Sequence, residues 1–271
     1  MKQKIMLFIP VFNCEKQIVR VIKQFSKSEQ QKFVEIIIID NNSRDKTIIA
    51  AEQAARKILQ FCNIKILKNK ENYGLGGSIK LAFNYAISKN YNYMVTLHGD
   101  DQANILDAIK IIQSKVFLKY DMCIGARFSR GSLLNGYSKI RIIGNKVLNF
   151  LLSKIAKRRI DDLVAGLNIY NVDLLRSKFY YNFPDDLTFD VHFLLYMIYK
   201  KKKFYFFPLT WREFDQVSNA KVLQQAFVII KLLIKYFYNK DFLNKLISSD
   251  NCKMQKDAYD VVFTKRGKLN D

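Results

Sequence analysis

An apolar run leads directly into side chains that can bind a metal. Tyr93–Leu97 is rich in β-branched and aromatic residues, which predicts a strand. His98–Gln102 follows at once, and Gly99 allows a sharp turn that would carry Asp100 and Gln102 beyond the sheet edge. Hard divalent cations prefer oxygen ligands and need few of them from the protein when substrate phosphates supply the rest. The stretch therefore predicts a site for a metal and a diphosphate.

Polar residues also follow the first three predicted strands. In Pro10–Asn13 a rigid proline and an aromatic ring could form one side of a nucleobase site. Asp40 could accept a hydrogen bond from a base N–H or a ribose hydroxyl. Ser43–Thr47 also has the composition of a helix start. The glycines of Asn72–Ser78 would permit close approach of a ligand to the backbone. Neither a P-loop nor a dinucleotide-binding fingerprint is present in these stretches.

The first half of the chain alternates between strand and helix patterns. Strands are predicted at Ile5–Val11, Glu35–Asp40, Ile64–Leu67, Tyr93–Leu97 and Met122–Gly125, and helices at Glu15–Ser26, Thr47–Leu59, Ser78–Ser88 and Asp107–Lys119. Continuous apolar runs such as the four isoleucines before Asp40 are typical of strands buried on both faces. The order predicts an α/β fold with a doubly wound, mostly parallel sheet whose strand ends form one ligand-binding edge.

The second half is less regular. A loop is expected at Phe128–Ser138, helices at Ile140–Ile155 and Phe189–Tyr199, and extended segments at Val164–Tyr170 and Phe204–Leu209. We expect a catalytic domain over residues 1–215 and a C-terminal amphipathic helix and polar tail over residues 216–271, with the tail frayed after Ser248.

The C-terminal helix is expected at Ala220–Tyr238. Lys221, Gln224, Lys231 and Lys235 fall on a narrow arc, and nearly all other positions are apolar. Such a helix either lies in a membrane interface or packs on the domain with its lysines in water, and both interpretations stay open.

Composition bounds the class of protein. The 271 residues carry 45 Lys and Arg against 24 Asp and Glu, a net charge of +21. Such an excess of positive charge is expected of a protein that binds nucleic acid, an anionic membrane surface or anionic small substrates, and it can also arise from compositional drift. The four cysteines are scattered, which argues against a zinc site or a disulfide framework. The same cysteine pattern favours a reduced, cytoplasmic setting. No apolar run is long enough to span a bilayer, and peripheral contact at the cytoplasmic face of the membrane is a hypothesis.

The order and spacing of these pieces resemble the inverting family 2 glycosyltransferases of the GT-A fold, and most closely the dolichol- and polyprenyl-phosphate mannose synthase-like branch. The resemblance covers about residues 5–215. It rests on Pro10–Asn13, Ile39–Thr47, Asn72–Gly76, His98–Gln102, Gly125–Phe128, Asp162–Leu167 and Pro208–Glu213.

The resemblance implies roles for the matching residues. Asp40 would contact the base, Asp45 would help to hold the nucleoside loop, and Asp100 would ligate Mg²⁺ or Mn²⁺ with Gln102 as a further ligand. The metal motif of the family usually begins with aspartate, and His98 stands there in this chain. His98 is therefore either a ligand, as a neutral imidazole can be, or a hydrogen-bonded structural histidine. Further donor contacts are implied for Pro10, Phe12, Asn13, Asn42, Asn72, Gly74 and Gly76.

The acceptor decides which further residues the reaction needs. A phosphate acceptor is already a nucleophile and requires cations, for which the candidates are Arg127, Lys139, Arg141 and Arg212. A sugar hydroxyl requires a carboxylate within hydrogen-bond reach, and the candidates are Asp185, Asp186 and Asp190, with Asp190 favoured. Asp185 and Asp186 could equally cap a helix. Trp211 is either a stacking surface for the acceptor or a core residue.

We therefore predict a metal-assisted inverting glycosyltransferase that moves a sugar from a nucleotide-diphosphate sugar to a lipid-phosphate or cell-envelope glycan acceptor. The expected partners are a UDP- or GDP-sugar, the acceptor, and an anionic membrane or a membrane protein. A sugar-nucleotide nucleotidyltransferase is an alternative, although the basic glycine-rich signature that it needs after the first strand is missing. A nucleic-acid-binding protein is another, with Lys200–Lys203 beside Phe204–Phe207 as its best surface.

Overall fold

The computed structural model describes residues 3–163, 165–215, 222–248 and 258–268. The strands are β1 (Ile5–Val11), β2 (Glu35–Asp40), β3 (Asn63–Asn69), β4 (Tyr93–Leu97), β5 (Met122–Ala126), β6 (Leu133–Asn135), β7 (Leu167–Asn171), β8 (Phe204–Pro208), β9 (Thr210–Arg212) and β10 (Tyr259–Lys265). The helices are α1 (Glu15–Lys23), α2 (Lys27–Gln30), α3 (Thr47–Ile58), α4 (Gly74–Ser88), α5 (Ile105–Gln113), α6 (Lys139–Ala156), α7 (Val172–Leu175), α8 (Phe189–Tyr199), α9 (Val222–Tyr238) and α10 (Phe242–Ser248). A 3₁₀ turn covers Val116–Lys119.

Eight strands form the central sheet in the order β10-β3-β2-β1-β4-β7-β5-β8. The pairs β3–β2, β2–β1, β1–β4 and β5–β8 are parallel, whereas β7 and β10 pair antiparallel to their neighbours. The predicted α/β fold with a mostly parallel sheet is confirmed. A short second sheet pairs β6 with β9.

Helices cover both faces of the sheet. Side chains alternate along β1, so that Met6 and Phe8 join the core beneath α4, α6 and α8, while Leu7 and Ile9 join the core beneath α1, α3 and α5. Every residue of β1, β2 and β4 is buried, as expected for strands covered on both faces. The strands β1, β2 and β4 and helix α8 have the predicted bounds.

Several predicted elements differ from the structure. The loop expected at Phe128–Ser138 contains β6, which pairs with β9 and could not be recognised as a strand from three residues. The helix expected to run to Lys119 ends at Gln113, because Lys115 adopts a left-handed conformation with φ of 57°. Helix α4 begins four positions earlier than expected, at Gly74. Val164, Ala220 and Lys221, which fell in predicted elements, lie outside the described residues.

The expectation of a frayed tail is wrong for residues 258–268. Tyr259–Lys265 pairs antiparallel with β3 and completes one edge of the sheet. Phe263 is buried there, and the Arg56 guanidinium lies 4.2 Å from its ring centroid. The edge of β3 would otherwise present unpaired backbone groups, which the added strand satisfies. The central sheet thus takes in residues on both sides of the boundary predicted at residue 215.

Candidate functional site

A cavity of about 470 Å³ opens where β1 and β4 end and the loops after β2 and β3 begin. Asn41 N donates to Val11 O over 2.9 Å and Gly99 N donates to Pro10 O over 3.0 Å, so the chain segments after β2 and β4 flank the end of β1. Asp40 and Asp100 therefore lie at the same edge of the sheet. The wall consists of Pro10, Val11, Phe12, Asn13, Cys14, Gln17, Asn41, Asn72, Gly74, Leu75, Ser78, His98, Gly99, Asp100, Gln102, Arg141, Asp186, Leu187 and Glu213.

The three predicted metal ligands share this wall. The turn after β4 depends on Gly99, because a Cβ there would collide with the Val11 side chain. His98 N donates to Gly166 O over 2.9 Å, and its ring packs so closely on Gly166 that a Cβ there would lie 2.6 Å from His98 Cγ. Among the described residues no hydrogen bond to the imidazole of His98 is found. The close packing on Gly166 holds the ring beside Asp100 on the cavity wall.

The donor set fits a cation that also binds a phosphate-bearing ligand. The Asp100 carboxylate accepts from Gln102 N over 3.2 Å and forms no salt bridge within the described part of the chain. Burial raises the pKa of Asp100, and His98 opposes that effect. A bound cation would offset the same desolvation. No cluster of three or more His, Cys, Asp or Glu side chains able to hold a metal occurs among residues that the structure describes, so phosphate oxygens would have to complete the coordination.

Asparagine side chains organise the side of the cavity next to β2 and β3. Asn41 Oδ1 accepts from Asn69 Nδ2 over 3.0 Å and from Tyr73 N over 2.9 Å. Asn41 Nδ2 donates to Asn72 Oδ1 over 2.8 Å. Asn41 was not among the predicted site residues, although it follows the acid that ends β2. It lines the cavity and fixes the loop that carries the predicted residue Asn72.

Asp40 lies behind this wall. It is fully buried, and its carboxylate accepts from Ser43 N over 3.1 Å and from the Ser43 hydroxyl. Burial raises the pKa of Asp40, and the bonds from Ser43 oppose the rise. Asp40 therefore shapes the loop after β2 and is not among the residues that line the cavity, so its contact with the base stays a prediction.

The loops after β1 and β2 are tied to each other. Asn13, with φ of 48°, donates from its backbone N–H to Ser43 Oγ over 2.9 Å and accepts from Arg44 N at Oδ1 over 2.9 Å. Asp45 accepts from Thr47 N over 3.0 Å and from Glu15 N over 3.3 Å, which fits its predicted role in holding this loop. Pro10, Phe12 and Asn13 line the cavity, whereas Asn42 and Asp45 lie outside the wall.

The glycine-rich start of α4 lies against both a neighbouring backbone segment and the cavity. Gly74 has φ of 70° and lies on the wall. Gly76 N donates to Asp185 O over 2.7 Å, and a Cβ on Gly76 would lie 2.6 Å from Pro184 O. Gly76 therefore does not meet the cavity itself. Its close approach to the 184–186 segment brings Asp186 to the wall.

The predicted catalytic carboxylates occupy different positions. Asp186 is on the cavity wall and accepts from Thr188 N over 2.7 Å and Thr188 Oγ1 over 2.6 Å at the start of α8. Asp190, which the sequence favoured, is buried behind the wall. Burial raises the pKa of Asp190 to about 6, while His98 and a hydrogen bond from Tyr170 lower it. Asp185 pairs with Lys80 over 2.7 Å.

The structure does not bring Arg127, Trp211 or Arg212 to the cavity. Arg127 donates to both carboxylate oxygens of Asp162 over 2.8 Å and is almost fully buried. Trp211 is 5% exposed and belongs to the core, 5.2 Å from the Arg127 guanidinium. Arg212 Nε donates to Asp101 O over 2.9 Å. The sequence alone suggested an acceptor role for these side chains. Their actual partners lie far away in the sequence and could not be foreseen from it.

Arg141 is the predicted acceptor contact that does reach the cavity. Its guanidinium pairs with Glu213 over 2.5 Å, and Gln102 Nε2 donates to the same carboxylate over 3.4 Å. Glu213 was not predicted as a site residue, because a single acidic residue after a short strand forms no recognisable sequence motif. Lys139, in the preceding part of α6, is exposed outside the wall.

The architecture defines the class of protein. The chain superposes with a TM-score of 0.62 on glucosyl-3-phosphoglycerate synthase from Mycobacterium tuberculosis in complex with Mn²⁺ and uridine-diphosphate-glucose, at 13% identity over 86% of this chain and 78% of that one. The fold is that of the GT-A glycosyltransferases. Residues 6–179 match the model of glycosyl transferase family 2, and the chain belongs to this family.

Two relatives are similar to this chain over 65% of its length. The chain is 27% identical over 176 residues to an uncharacterized protein of Methanocaldococcus jannaschii, covering 65% of this chain and 68% of the relative. It is 20% identical over 175 residues to polyprenol monophosphomannose synthase of Mycolicibacterium smegmatis, covering 65% of this chain and 64% of the relative. The protein is a glycosyltransferase, as predicted, and the family match supports neither the nucleotidyltransferase nor the nucleic-acid-binding alternative.

Proposed function

We propose that the cavity binds a nucleotide-diphosphate sugar with Mg²⁺ or Mn²⁺ and transfers the sugar, with inversion, to a phosphate or hydroxyl acceptor. The observation that carries the proposal is the charge of the wall. Among the described residues of the wall, Asp100, Asp186 and Glu213 contribute three carboxylates and Arg141 contributes a single guanidinium. The protein as a whole has a net charge of +21, yet this wall is acidic. Because a diphosphate is itself an anion, its binding beside these carboxylates requires a cation at the wall. Asp100, with His98 and Gln102 beside it, is the place for that cation.

The bound metal would stabilise the charge that develops on the departing nucleoside diphosphate. Asp100 and Gln102 would hold it, and His98 is the third candidate ligand. The nucleoside would lie between Phe12 and Asn13 on one side and Asn41 and Asn72 on the other, where the asparagine network fixes the loop positions. These residues bind and orient the donor.

The two acceptor classes would use different residues. For a hydroxyl acceptor the carboxylate available at the wall is Asp186, which would take the proton as the acceptor oxygen attacks the anomeric carbon. Asp190 lies deeper, so the geometry favours Asp186 over it. For a phosphate acceptor no base is needed, and Arg141 would hold the phosphate after Glu213 exchanges its partner.

We propose that the acceptor is a lipid phosphate or a cell-envelope glycan and that the reaction takes place at the cytoplasmic face of the membrane. Similarity to polyprenol monophosphomannose synthase supports a polyprenyl-phosphate acceptor. The exposed apolar residues of α9, including Phe227 and Phe237, support contact with a membrane or a membrane protein. No helix in the described ranges combines the length and the apolar character needed to cross a bilayer.

A donor and acceptor panel tests the proposal. UDP- and GDP-sugars are offered with Mg²⁺, Mn²⁺ or chelator, first in a thermal-shift assay and then with polyprenyl phosphate while nucleoside diphosphate release is measured. At least one pair should show metal-dependent stabilisation and release, and Asp100→Asn should lose both. Asp173→Asn is a matched control, because that carboxylate lies 78% exposed on α7. Metal-independent stabilisation equal in wild type and Asp100→Asn would refute the metal assignment.

A further inference from the structure

Helix α6 exposes an apolar stripe to solvent. Its exposed side chains include Ile140 at 82%, Ile143 at 64%, Val147 at 51%, Phe150 at 60% and Leu151 at 43%. At about 100° per residue these five positions fall within an arc of about 100°. The core contacts of the same helix come from a different arc, which carries the buried Leu148 and Leu152. Helix α6 is therefore apolar on two sides, of which one is turned away from the protein.

Helix α9 contacts α6 and has the same property. Its inner face consists of Leu232, Leu233 and Tyr236, which are buried. Its outer face exposes Phe227 at 59%, Ile230 at 38%, Ile234 at 52% and Phe237 at 58%. Packing on the domain accounts for the inner face alone. Adjoining exposed side chains of this size are uncommon on a soluble monomer and mark an interaction surface.

The charges around the two helices indicate the partner. Neither helix contains an acidic residue, whereas α6 carries four basic residues and α9 carries two. Lysines accompany exposed rings on both helices: Lys154 Nζ lies 5.3 Å from the Phe150 centroid, and Lys231 Nζ lies 5.4 Å from that of Phe227. A second copy of a chain of net charge +21 would bring like charges together. An anionic lipid surface offers apolar depth and the opposite charge at once.

We infer that the exposed faces of α6 and α9 form a docking surface for an anionic lipid bilayer, with the α6 stripe as its main part. Ile140 and Ile143 lie within one helical turn of Arg141, which lines the cavity. Phe214, which is 75% exposed, follows the wall residue Glu213 in the sequence. A bilayer resting on α6 would thus meet the protein within one helical turn of the cavity. The docking does not require the transfer reaction, so the two can be tested separately.

Flotation of the full chain with vesicles tests the surface. Vesicles contain phosphatidylcholine alone or with phosphatidylserine, at low and high salt. The test variant is Ile143→Glu/Phe150→Glu on α6. The control is Ile49→Glu/Leu106→Glu on α3 and α5, where the two side chains are 52% and 43% exposed on helices that cover the other sheet face. Thermal melting checks that all three proteins are equally folded.

Wild type and control should float with the phosphatidylserine vesicles at low salt, and the α6 variant should partition at least about tenfold less. Wild type that stays in the aqueous fraction overturns the inference, and so does an α6 variant that floats as well as the control. A dimer that the α6 variant dissociates, without vesicle binding by wild type, would identify a second copy as the partner instead. Metal-dependent stabilisation by the UDP- and GDP-sugars is measured in parallel without vesicles: its absence would contradict the proposed function and leave docking intact.

Discussion

Gly76 and Asp185 are joined by a backbone hydrogen bond of 2.7 Å, from the Gly76 N–H to the Asp185 carbonyl oxygen. The bond is possible because Gly76 has no side chain: an added Cβ would lie 2.6 Å from Pro184 O and 2.8 Å from Phe189 Cβ. This contact fixes the segment that presents Asp186 to the cavity. The glycine-rich start of α4 therefore positions a candidate catalytic carboxylate and also lines the cavity.

Gly76→Ala should displace the 184–186 segment, because backbone cannot yield as a flexible side chain can. We expect a loss of stability of about 1–3 kcal/mol and at least about a tenfold loss of transferase activity, since small displacements at a reacting group are costly. Chemical denaturation and nucleoside diphosphate release measure the two effects. Gly144→Ala is the matched control, because a Cβ there meets nothing within 4 Å in helix α6. Equal behaviour of the two variants would contradict the positioning role.

The Arg127–Asp162 pair should be structural and costly to break. Asp162 is fully buried and accepts from the Arg127 backbone and guanidinium, each over 2.8 Å. Asp162→Ala would leave a buried guanidinium without its carboxylate, and we expect a loss of about 3–5 kcal/mol in the free energy of unfolding. The surface pair Arg159–Asp161 provides the comparison, since Arg159 is 74% exposed. Arg159→Ala should cost about 0–1 kcal/mol by the same denaturation measurement.

Phe263 should anchor the C-terminal edge strand. It is 7% exposed, whereas its neighbour Val262 is 41% exposed on the same strand. Phe263→Ala should destabilise the protein by about 3 kcal/mol, because it leaves a cavity against α3 and β3, and Val262→Ala should cost much less. Calorimetric melting of both variants tests this. If the two melt alike, β10 does not contribute to the fold as the structure indicates.

The pH dependence of stability should include a contribution from His192. Its side chain is buried, its Nδ1 lies 2.9 Å from Thr188 O, and burial lowers its pKa. The unfolded chain therefore takes up a proton first as the pH falls, so stability is lost on acidification below about 6.5. His192→Asn retains a hydrogen-bond donor and removes the titration. Its free energy of unfolding should fall less than that of wild type between pH 7 and pH 5, and equal slopes would contradict the assignment.

The elements of the fold that could be predicted from the sequence are those that local residue patterns specify. The continuous apolar runs of β1, β2 and β4 indicate strands buried on both faces, and their bounds agree with the structure. Because parallel strands end at one edge, the convergence of Phe12, Asn72 and Asp100 on a single cavity also follows from the pattern. Strand β10 could not be foreseen, since its pairing depends on the free edge of β3, which is remote in sequence.

Side-chain roles that depend on distant partners could not be predicted either. Arg127 leaves the end of β5 as a cavity residue would, and its bonds to the buried Asp162 hold it inside the protein. Glu213 gains its place on the wall through Arg141, 72 residues away. Asp190 has the residue type of a catalytic base, yet it is buried within α8, and Asp186, which precedes that helix, lines the cavity instead.

The central claim is that Asp100 binds a divalent cation together with a nucleoside diphosphate. Calorimetric titration of Mn²⁺ into the protein, with and without UDP or GDP, tests it most directly. Wild type should bind Mn²⁺ tightly only when the nucleotide is present, and Asp100→Asn should lose that binding while Asp173→Asn keeps it. Nucleotide binding of equal affinity in the presence of Mn²⁺ or chelator, unchanged by Asp100→Asn, would contradict the account.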